Sequence, residues 1–401
     1  MRLNPALLAT DTPPIPEARR WLDGLEFPAD RPLLNVSQAA PTAPPPPDLR
    51  AYIADIAMNE PGAHLYGPVL GNEDLRAAVA EEWRRAYGGD VRTGDVAITP
   101  GCNQAFVAAL TALAGAGNEV ILPTPWYFNH KMAIDMAGVR AVPLPTGADL
   151  IPDPDRAARL LTARTRAIVL VTPNNPAGVE YPAEVVHAFR DLARTAGIAL
   201  VLDETYRNFD SRETAPHNLF SDPDWRDTVV DLYSFSKAYR LTGHRVGAIV
   251  AGPEVLRQIE KVQDTQVICP NQIGQRAALW GLENLSGWLA GERREIHDRR
   301  SALAGHFAAL GGWRVLGLGA YFAFVSHPFS APSDLVARQL VAEAGILALP
   351  ATMFAPADDP LRHRALRIAV ANIDKQGIGE LSERLRHFTG RAGLALSRPL
   401  A

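Results

Sequence analysis

Residues 228–247 read TVVDLYSFSKAYRLTGHRVG and form the most informative segment of the chain. The apolar run Thr228–Tyr233 predicts a buried strand. Lys237 follows the end of this strand, and Arg245 stands eight residues further on in a Gly-x-Arg-x-Gly turn. A lysine in a loop is usually a solvated surface residue, but a desolvated lysine beside other cations has a lowered pKa and forms imines with carbonyl compounds. The guanidinium fork of Arg245 suits a phosphate group.

Short apolar strands alternate with helices along most of the chain. The predicted strands are Asp95–Thr99, Glu119–Leu122, Ala167–Val171, Ile198–Leu202, Thr228–Tyr233 and Val246–Ala251. Helices are predicted at Glu73–Ala86, Asn103–Ala114 and Pro182–Ala196. Such continuous apolar strands imply a mainly parallel sheet covered by helices on both faces. Ligands of these sheets bind beyond the carboxyl ends of the strands, so we expect the functional residues there.

Three other strand ends carry residues that could bind a ligand. Asp203 follows Ile198–Leu202, and a buried carboxylate there needs a positive partner unless it only caps a turn. Gly101 precedes a helix and would allow a ligand close to free backbone N–H groups, although a simple turn would also use glycine. Asn175 lies in the turn-forming stretch Thr172–Gly178, and its amide could either build the turn or donate to a ligand oxygen.

Together these strand ends match the chemistry of one ligand. An aldehyde would react with Lys237, a phosphate would bind Arg245 and the helix start, and a basic ring nitrogen would meet Asp203. Pyridoxal 5'-phosphate (PLP) carries all three groups. The combination therefore predicts a PLP site.

The C-terminal part of the chain has a different pattern. A long charged helix is predicted from about Leu285 to about Leu310, followed by strands at Trp313–Leu316, Tyr321–Val325 and Leu366–Val370 and by helices at Ser333–Ala344 and Gln376–Thr389. We expect residues 1–50 to form an N-terminal arm and part of a small domain, residues 51–285 a large PLP-binding domain, and residues 286–401 a C-terminal small domain. The proline-rich first fifty residues predict an extended arm or linker, either a loose tail or an arm docked on a partner subunit.

The composition excludes several classes of function. The net charge of −4 gives no basic field, so neither nucleic acid nor a membrane surface is an expected partner. The two cysteines, Cys102 and Cys269, indicate no disulfide framework. Apolar runs fall short of the roughly 18 residues of a membrane helix, and the N-terminal apolar patch is too short for a signal peptide. We therefore expect a soluble, cytoplasmic protein without a metal site.

The motifs at the strand ends resemble those of the class I and II aminotransferases of PLP fold type I. In the family's order they are Tyr66-Gly67 with Gly71-Asn72-Glu73-Asp74-Leu75-Arg76, Gly101-Cys102-Asn103-Gln104-Ala105, Asn174-Asn175-Pro176-Ala177-Gly178, Asp203-Glu204-Thr205-Tyr206, Ser234-Phe235-Ser236-Lys237 with Gly243-His244-Arg245-Val246-Gly247, and Leu366-Arg367-Ile368-Ala369. The resemblance covers about three hundred residues. It implies an α/β fold with a large domain whose mainly parallel central sheet is flanked by helices, a smaller α+β domain and an N-terminal arm.

The resemblance also assigns cofactor-binding roles. Lys237 is expected to hold PLP as a Schiff base and to move the proton during catalysis. Asp203 would keep the pyridine nitrogen protonated, because a nearby carboxylate favours the cation. The other expected contacts are Tyr206 and Asn175 at the phenolic oxygen, Tyr127 or else Trp126 stacked on the ring, and Arg245, Ser234, Gly101, Cys102 and Asn103 at the phosphate.

Substrate-binding roles and a partner follow from the same resemblance. Arg367 would bind the α-carboxylate of the amino acid and 2-oxo acid substrates, with Asn175 and Ala39 beside it. Tyr66 would reach the phosphate in a neighbouring subunit, which implies a homodimer with shared active sites.

Two departures from the family pattern bear on the substrate. The stretch Ser37–Pro41 reads SQAAP, where many relatives have Gly-Glu-Pro or a similar sequence. Relatives that act on dicarboxylates recruit a second arginine from a segment in which this chain has Gln266 or Val267. We therefore expect a neutral or aromatic amino acid rather than a dicarboxylic one.

The predicted reaction is transfer of an amino group from an L-amino acid to a 2-oxo acid by a ping-pong mechanism. The same apparatus could instead serve a lyase, a decarboxylase or an oxidase, because fold and cofactor do not fix the reaction. A non-catalytic ligand sensor fused to a DNA-binding segment is disfavoured, since the recognisable motifs begin near residue 35.

Overall fold

The computed structural model describes residues 1–391 and 393–396, so residues 392 and 397–401 of the predicted C-terminal region lie outside it. The N-terminal region holds helices α1 (Pro5–Ala9), α2 (Pro14–Arg20) and α3 (Pro47–Asn59) and the short strand β1 (Leu34–Asn35). The prediction of an extended arm without packed elements is wrong for α2, which buries Pro14 and Ala18. Each of these helices has a proline in its first turn, where the missing N–H has no intrahelical acceptor, so the prolines begin helices there.

A seven-stranded sheet forms the centre of the molecule. Its strands are β2 (Val96–Thr99), β3 (Glu119–Thr124), β4 (Arg140–Pro145), β5 (Thr165–Val171), β6 (Ala199–Asp203), β7 (Val229–Ser234) and β8 (Gly247–Ala251). The order across the sheet is β2-β8-β7-β6-β5-β3-β4. Strands β3 to β7 pair in parallel, and β8 runs antiparallel to both β7 and β2.

Helices cover both faces of this sheet. They are α4 (Glu73–Tyr87), α5 (Cys102–Leu113), α6 (Phe128–Met136), α7 (Pro154–Leu160), α8 (Ala183–Ala196), α9 (Phe235–Ala238), α10 (Pro253–Val267) and α11 (Gln272–Asn284). Leu200 and Leu202 of β6 pack on one face in a cluster with Trp83 of α4. Val201 belongs to the opposite face with Phe106 of α5. Successive residues of a strand point to opposite faces of the sheet. Because helices cover both faces, every residue of β6 is buried.

The C-terminal part contains a second sheet. Its elements are α12 (Ser286–Ala308), β9 (Arg314–Gly319), β10 (Phe322–Ser326), α13 (Ser333–Gln339), β11 (Ile346–Leu347), β12 (Leu349–Pro350), β13 (Ala365–Ala369) and α14 (Lys375–Arg391). Strands β12-β13-β10-β9 form a four-stranded antiparallel sheet. Strand β1 pairs in parallel with β11, which joins the N-terminal region to this part of the molecule.

The architecture confirms the predicted α/β fold class with a mainly parallel sheet between helices. Strand β4 is missing from the prediction because Pro143 and Pro145 weaken its strand pattern. It lies at the edge of the sheet, where proline is tolerated. No helix within the described residues is both long and apolar enough to cross a bilayer.

Candidate functional site

A cavity of about 560 Å³ lies beyond the carboxyl ends of the central parallel strands. Val171, Asp203 and Ser234 are the last residues of β5, β6 and β7, and all three line it. The predicted site residues that line this cavity are Ala39, Cys102, Asn103, Tyr127, Asn175, Asp203, Tyr206, Ser234, Lys237, Arg245 and Arg367. The parallel strands thus bring together residues that are far apart in the sequence.

Lys237 stands on the short helix α9, which follows β7 directly. The side chain of Ser234 caps this helix by accepting the N–H of Ser236 at 3.3 Å. The ammonium of Lys237 donates to the carbonyl of Ala39 at 2.6 Å. Burial, and after it the charges of Arg367 and Arg245, lower the pKa of Lys237 to about 8. The amine is therefore available as a neutral nucleophile at a far lower pH than a surface lysine.

Asp203 is buried at the end of β6 and is held by several donors. Its Oδ1 accepts the N–H of Thr205 at 2.9 Å and lies 3.6 Å from the Cys102 thiol, and its Oδ2 lies 3.1 Å from Nε2 of His130. The imidazole of His130 in turn stacks on Phe106 with ring centroids 3.9 Å apart. Burial alone would raise the pKa of Asp203, but His130 and Thr205 hold it below its ordinary value. The carboxylate is therefore ionised and fixed in orientation.

The start of α5 lies at one corner of the cavity, next to Arg245. Gly101 precedes the helix with φ of +88°, and a Cβ at this position would lie 2.2 Å from Nη2 of Arg245. The glycine therefore allows the guanidinium to lie against the backbone at the helix start. Arg245 also donates to the hydroxyl of Ser236 at 3.4 Å and to the carbonyl of Thr242 at 3.1 Å. Helix N–H groups and a guanidinium together suit a phosphate.

Arg367 of β13 is buried at the side of the cavity. Its Nη1 donates to Oδ1 of Asn175 at 2.8 Å, and its Nη2 donates to the carbonyl of Ser37. Phe354 and Phe322 lie against the guanidinium, with ring centroids 4.9 and 5.1 Å away. Burial lowers the pKa of Arg367 to about 10, so the group stays cationic at neutral pH. A buried, planar cation of this kind suits a ligand carboxylate.

Two tyrosines complete the wall around Lys237. The hydroxyl of Tyr127 donates to Asn103 at 3.1 Å and accepts from Asn129 at 2.8 Å, and burial raises the pKa of Tyr127 to about 12. Burial also raises the pKa of Tyr206 well above its ordinary value, so both phenols stay protonated. Trp126, the other residue considered for ring stacking, is buried but does not line the cavity.

A family model for aminotransferases of class I and II matches residues 31–385. The chain belongs to this family. The aspartate/prephenate aminotransferase of Thermus thermophilus is 30% identical over 82% of this chain and 85% of its own length, and the aromatic aminotransferase ISS1 of Arabidopsis thaliana is 28% identical over 87% and 88%. An aspartate aminotransferase structure from T. thermophilus with maleate gives a TM-score of 0.87 at 26% identity and covers 96% of this chain and 100% of that one. The predicted family, fold class and aminotransferase activity are confirmed.

Tyr66 lies outside the cavity of this aminotransferase. It is 79% exposed and follows Leu65, which is 66% exposed. Gln266 and Val267, at the end of α10, also lie away from the cavity wall, and Gln266 accepts a hydrogen bond from Gln104. The structure therefore brings most of the predicted site residues together around Lys237, whereas Tyr66 is exposed and does not line the cavity.

Sequence reasoning about the aminotransferase missed His130, which contacts Asp203 without lining the cavity, and several residues of the cavity wall. His130 lies in the middle of α6, and no motif in the sequence marks it as the partner of Asp203. Ile15, Pro16 and Arg19 line the cavity from α2, in the region that was expected to be an unpacked arm. Both groups reach the site through packing between distant segments, which local sequence patterns do not report.

Proposed function

We propose that this aminotransferase binds PLP through Lys237 and transfers an amino group from an L-amino acid to a 2-oxo acid by a ping-pong mechanism. The observation that carries the proposal is the setting of Lys237. Its pKa is lowered to about 8, and it shares one cavity with the carboxylate of Asp203 and the guanidinium groups of Arg245 and Arg367. When bound, PLP supplies an electron sink for the substrate carbanion.

The residues around Lys237 fit the three functional groups of PLP. Asp203 would hold the pyridine nitrogen in its protonated form, since its own pKa lies below the ordinary value. Arg245, Ser234 and the backbone N–H groups of Cys102 and Asn103 would bind the phosphate. Gly101 supports this assignment, because a side chain there would fill the space occupied by Arg245.

The ring and the phenolic oxygen of PLP have further candidate partners. Tyr127 would stack on the ring, and its position on the cavity wall favours it over Trp126. Tyr206 and Asn175 would donate hydrogen bonds to the phenolic oxygen. Both side chains line the cavity and both are buried.

Arg367 would bind the α-carboxylate of each substrate, with Asn175 and Ala39 beside it. Lys237 would then take the proton from the substrate α-carbon, a step that general acid–base catalysis accelerates by about 10²–10⁴-fold. The substrate side chain would lie near Ile15 and Phe128, which line the cavity and are apolar. This lining supports a neutral or aromatic amino donor.

We further propose that the enzyme is a cytoplasmic homodimer with shared active sites and that neither nucleic acid nor a membrane is its partner. Tyr66 would reach the phosphate bound in the neighbouring subunit. Residues 1–50 would form the N-terminal arm and part of the small domain, 51–285 the large domain, and 286–401 the small domain. The seven-stranded and four-stranded sheets support this division.

The visible absorption spectrum of the purified protein tests the proposal. We expect a cofactor band that borohydride abolishes, that is lost in Lys237→Ala, and that persists in Lys261→Ala, whose lysine is exposed and donates to Gln258. Addition of single amino acids should convert the band to that of the pyridoxamine form. Absence of any band after addition of PLP would contradict cofactor binding, and release of ammonia would indicate a lyase or an oxidase instead.

A further inference from the structure

Three glutamine side chains hold the loop that carries Tyr66. This loop, Tyr66–Asn72, leads into α4, and Tyr66 at its start is 79% exposed. Gln263 of α10 and Gln272 and Gln275 of α11 contact the loop, and all three are buried; we call them the glutamine clamp. A buried amide lowers stability unless it is hydrogen-bonded, so three of them behind one surface loop indicate that the conformation of this loop matters.

The glutamine clamp binds both the backbone and a side chain of the loop. Nε2 of Gln263 donates to the carbonyl of Val69 at 3.3 Å. Oε1 of Gln275 accepts the backbone N–H of Asn72 at 2.7 Å, and Oε1 of Gln272 accepts from the side-chain amide of Asn72 at 3.0 Å. The loop is therefore fixed at its middle and at its end.

The start of the loop also lies directly against the glutamine clamp. A Cβ at Gly67, the residue after Tyr66, would lie 2.2 Å from Nε2 of Gln272, so the absence of a side chain allows this close approach. Gln272 is itself held by Arg276, which donates to its Oε1 at 3.0 Å and pairs with Glu60 at 2.8 Å. The clamp therefore fixes the backbone next to the residue whose side chain is exposed.

We propose that the glutamine clamp positions Tyr66 for the phosphate bound in the neighbouring subunit. A tyrosine on an unrestrained loop would lose conformational freedom when it binds a ligand, and a loop that is already fixed avoids this loss. The three glutamines are positioning residues, since none of them lines the cavity of its own chain. This inference rests on the proposed function, from which it takes the homodimer and the role of Tyr66.

Binding of PLP and of pyridoxal to the same variants tests this role. Both compounds present an aldehyde to Lys237, but only PLP carries the phosphate. We expect Gln275→Met to weaken PLP binding by about tenfold in an absorption titration and to leave pyridoxal binding unchanged. Tyr66→Phe should show the same pattern, and the two losses should not add in the double variant. Gln339→Met, at a half-buried position of α13, is the control and should leave both affinities unchanged.

Gln272 allows a conservative replacement, which keeps the test decisive should Gln275→Met fail to fold. Its Oε1 accepts hydrogen bonds from Asn72 and Arg276, whereas its Nε2 is buried and has no hydrogen-bond partner among the described residues. Glutamate retains the acceptor and loses only this unpaired donor. Gln272→Met should therefore weaken PLP binding, and Gln272→Glu should retain most of the wild-type affinity. Equal PLP affinity in these two variants would overturn the proposal.

Hybrid dimers show in which subunit the glutamine clamp acts. In a hybrid of Lys237→Ala and Gln275→Met chains, the cavity that retains Lys237 belongs to the Gln275→Met chain. This cavity receives Tyr66 from the other chain, whose clamp is intact, so we expect it to bind PLP with the wild-type affinity. If the clamp only supports the cavity of its own chain, the affinity stays weak and the proposal fails.

The titrations also separate this inference from the proposed function. If Tyr66→Phe weakens PLP binding but Gln275→Met and Gln272→Met do not, the clamp has no positioning role and the proposed function stands. The same conclusion follows if the glutamine variants lose affinity equally for PLP and pyridoxal. If Tyr66→Phe leaves the PLP affinity of the dimer unchanged, the proposed sharing of active sites fails, and the positioning role fails with it. A wild type that binds no PLP would overturn both proposals.

Discussion

The amine of Lys237 is largely withdrawn from water in the folded chain, and this affects both reactivity and stability. Its pKa is about 8 in the folded protein against an ordinary value of 10.5. Between these two pH values the unfolded chain binds the proton more strongly, so this residue makes stability rise with pH. Below pH 8 the folded chain must carry a desolvated cation, and the full unfavourable contribution is present.

We therefore expect Lys237→Met to stabilise the cofactor-free protein at pH 7 by up to about 3 kcal/mol. The difference from wild type should shrink as the pH rises from 8 to 10.5. Urea unfolding of both proteins at pH 7 and pH 10 measures it, with Lys261→Met as the control for loss of an exposed lysine. A difference that does not depend on pH would mean that the Lys237 amine is well solvated.

His130 is the residue that most affects the charge of Asp203. In His130→Phe, burial of Asp203 is opposed less, so its pKa should rise and the carboxylate should protonate more readily as the pH falls. We expect PLP affinity to fall by about tenfold, and more at pH 6 than at pH 8. Titration of the cofactor-free protein with PLP at both pH values measures this, and His306→Phe, at an exposed position of α12, is the control. Equal affinities of wild type and His130→Phe would show that Thr205 alone suffices to orient Asp203.

A strand or helix can be predicted from the sequence when its own residues carry a clear pattern. Strands β5, β6 and β7 are buried on both faces, so their sequences are mainly apolar, and the polar end residues Asp203 of β6 and Ser234 of β7 mark the site. The proline-containing strand β4 and helix α2 have no such run, and only tertiary packing establishes them. The same reason explains why Asp203 could be singled out from the sequence but His130 and Arg19 could not. Arg19 lines the cavity and His130 contacts Asp203, and each lies on a helix whose position depends on other segments.

The proposed phosphate-binding role of helix α5 depends on Gly101. At φ of +88°, a side chain there would be strained, and its Cβ would lie 2.2 Å from Arg245. We expect Gly101→Ala to displace Arg245 from the helix start and to weaken PLP binding by at least about tenfold, which an absorption titration measures. The control is Gly94→Ala, because a Cβ at Gly94 would meet no atom within 4 Å. Unchanged PLP affinity in Gly101→Ala would separate the phosphate site from this helix start.

At the scale of the whole molecule, an apolar surface patch supports the proposed dimer. Its residues, with their exposed fractions, are Leu65 (66%), Tyr66 (79%) and Ile268 (43%). The N–H of Gly67 donates to the thiol of Cys269 at 3.4 Å, which brings the two segments together. Such a patch on a globular protein is typical of a protein–protein interface.

A mixture of two variants, Lys237→Ala and Tyr66→Phe, tests whether the subunits share their active sites. If Tyr66 acts on the partner's cavity, a hybrid of Lys237→Ala and Tyr66→Phe chains contains one cavity with both Lys237 and Tyr66, because the Tyr66→Phe subunit receives its tyrosine from the Lys237→Ala subunit. If Tyr66 acts within its own chain, every cavity of the hybrid lacks one of the two side chains. We therefore expect tight PLP binding to reappear, up to one cavity per hybrid dimer, after the two proteins are unfolded together and refolded. Each variant treated alone is the control, and sedimentation of the mixture establishes that dimers have formed. Hybrid dimers without a tight PLP site would show that Tyr66 does not bind PLP in the partner's cavity. A monomeric wild type would contradict the proposed dimer itself.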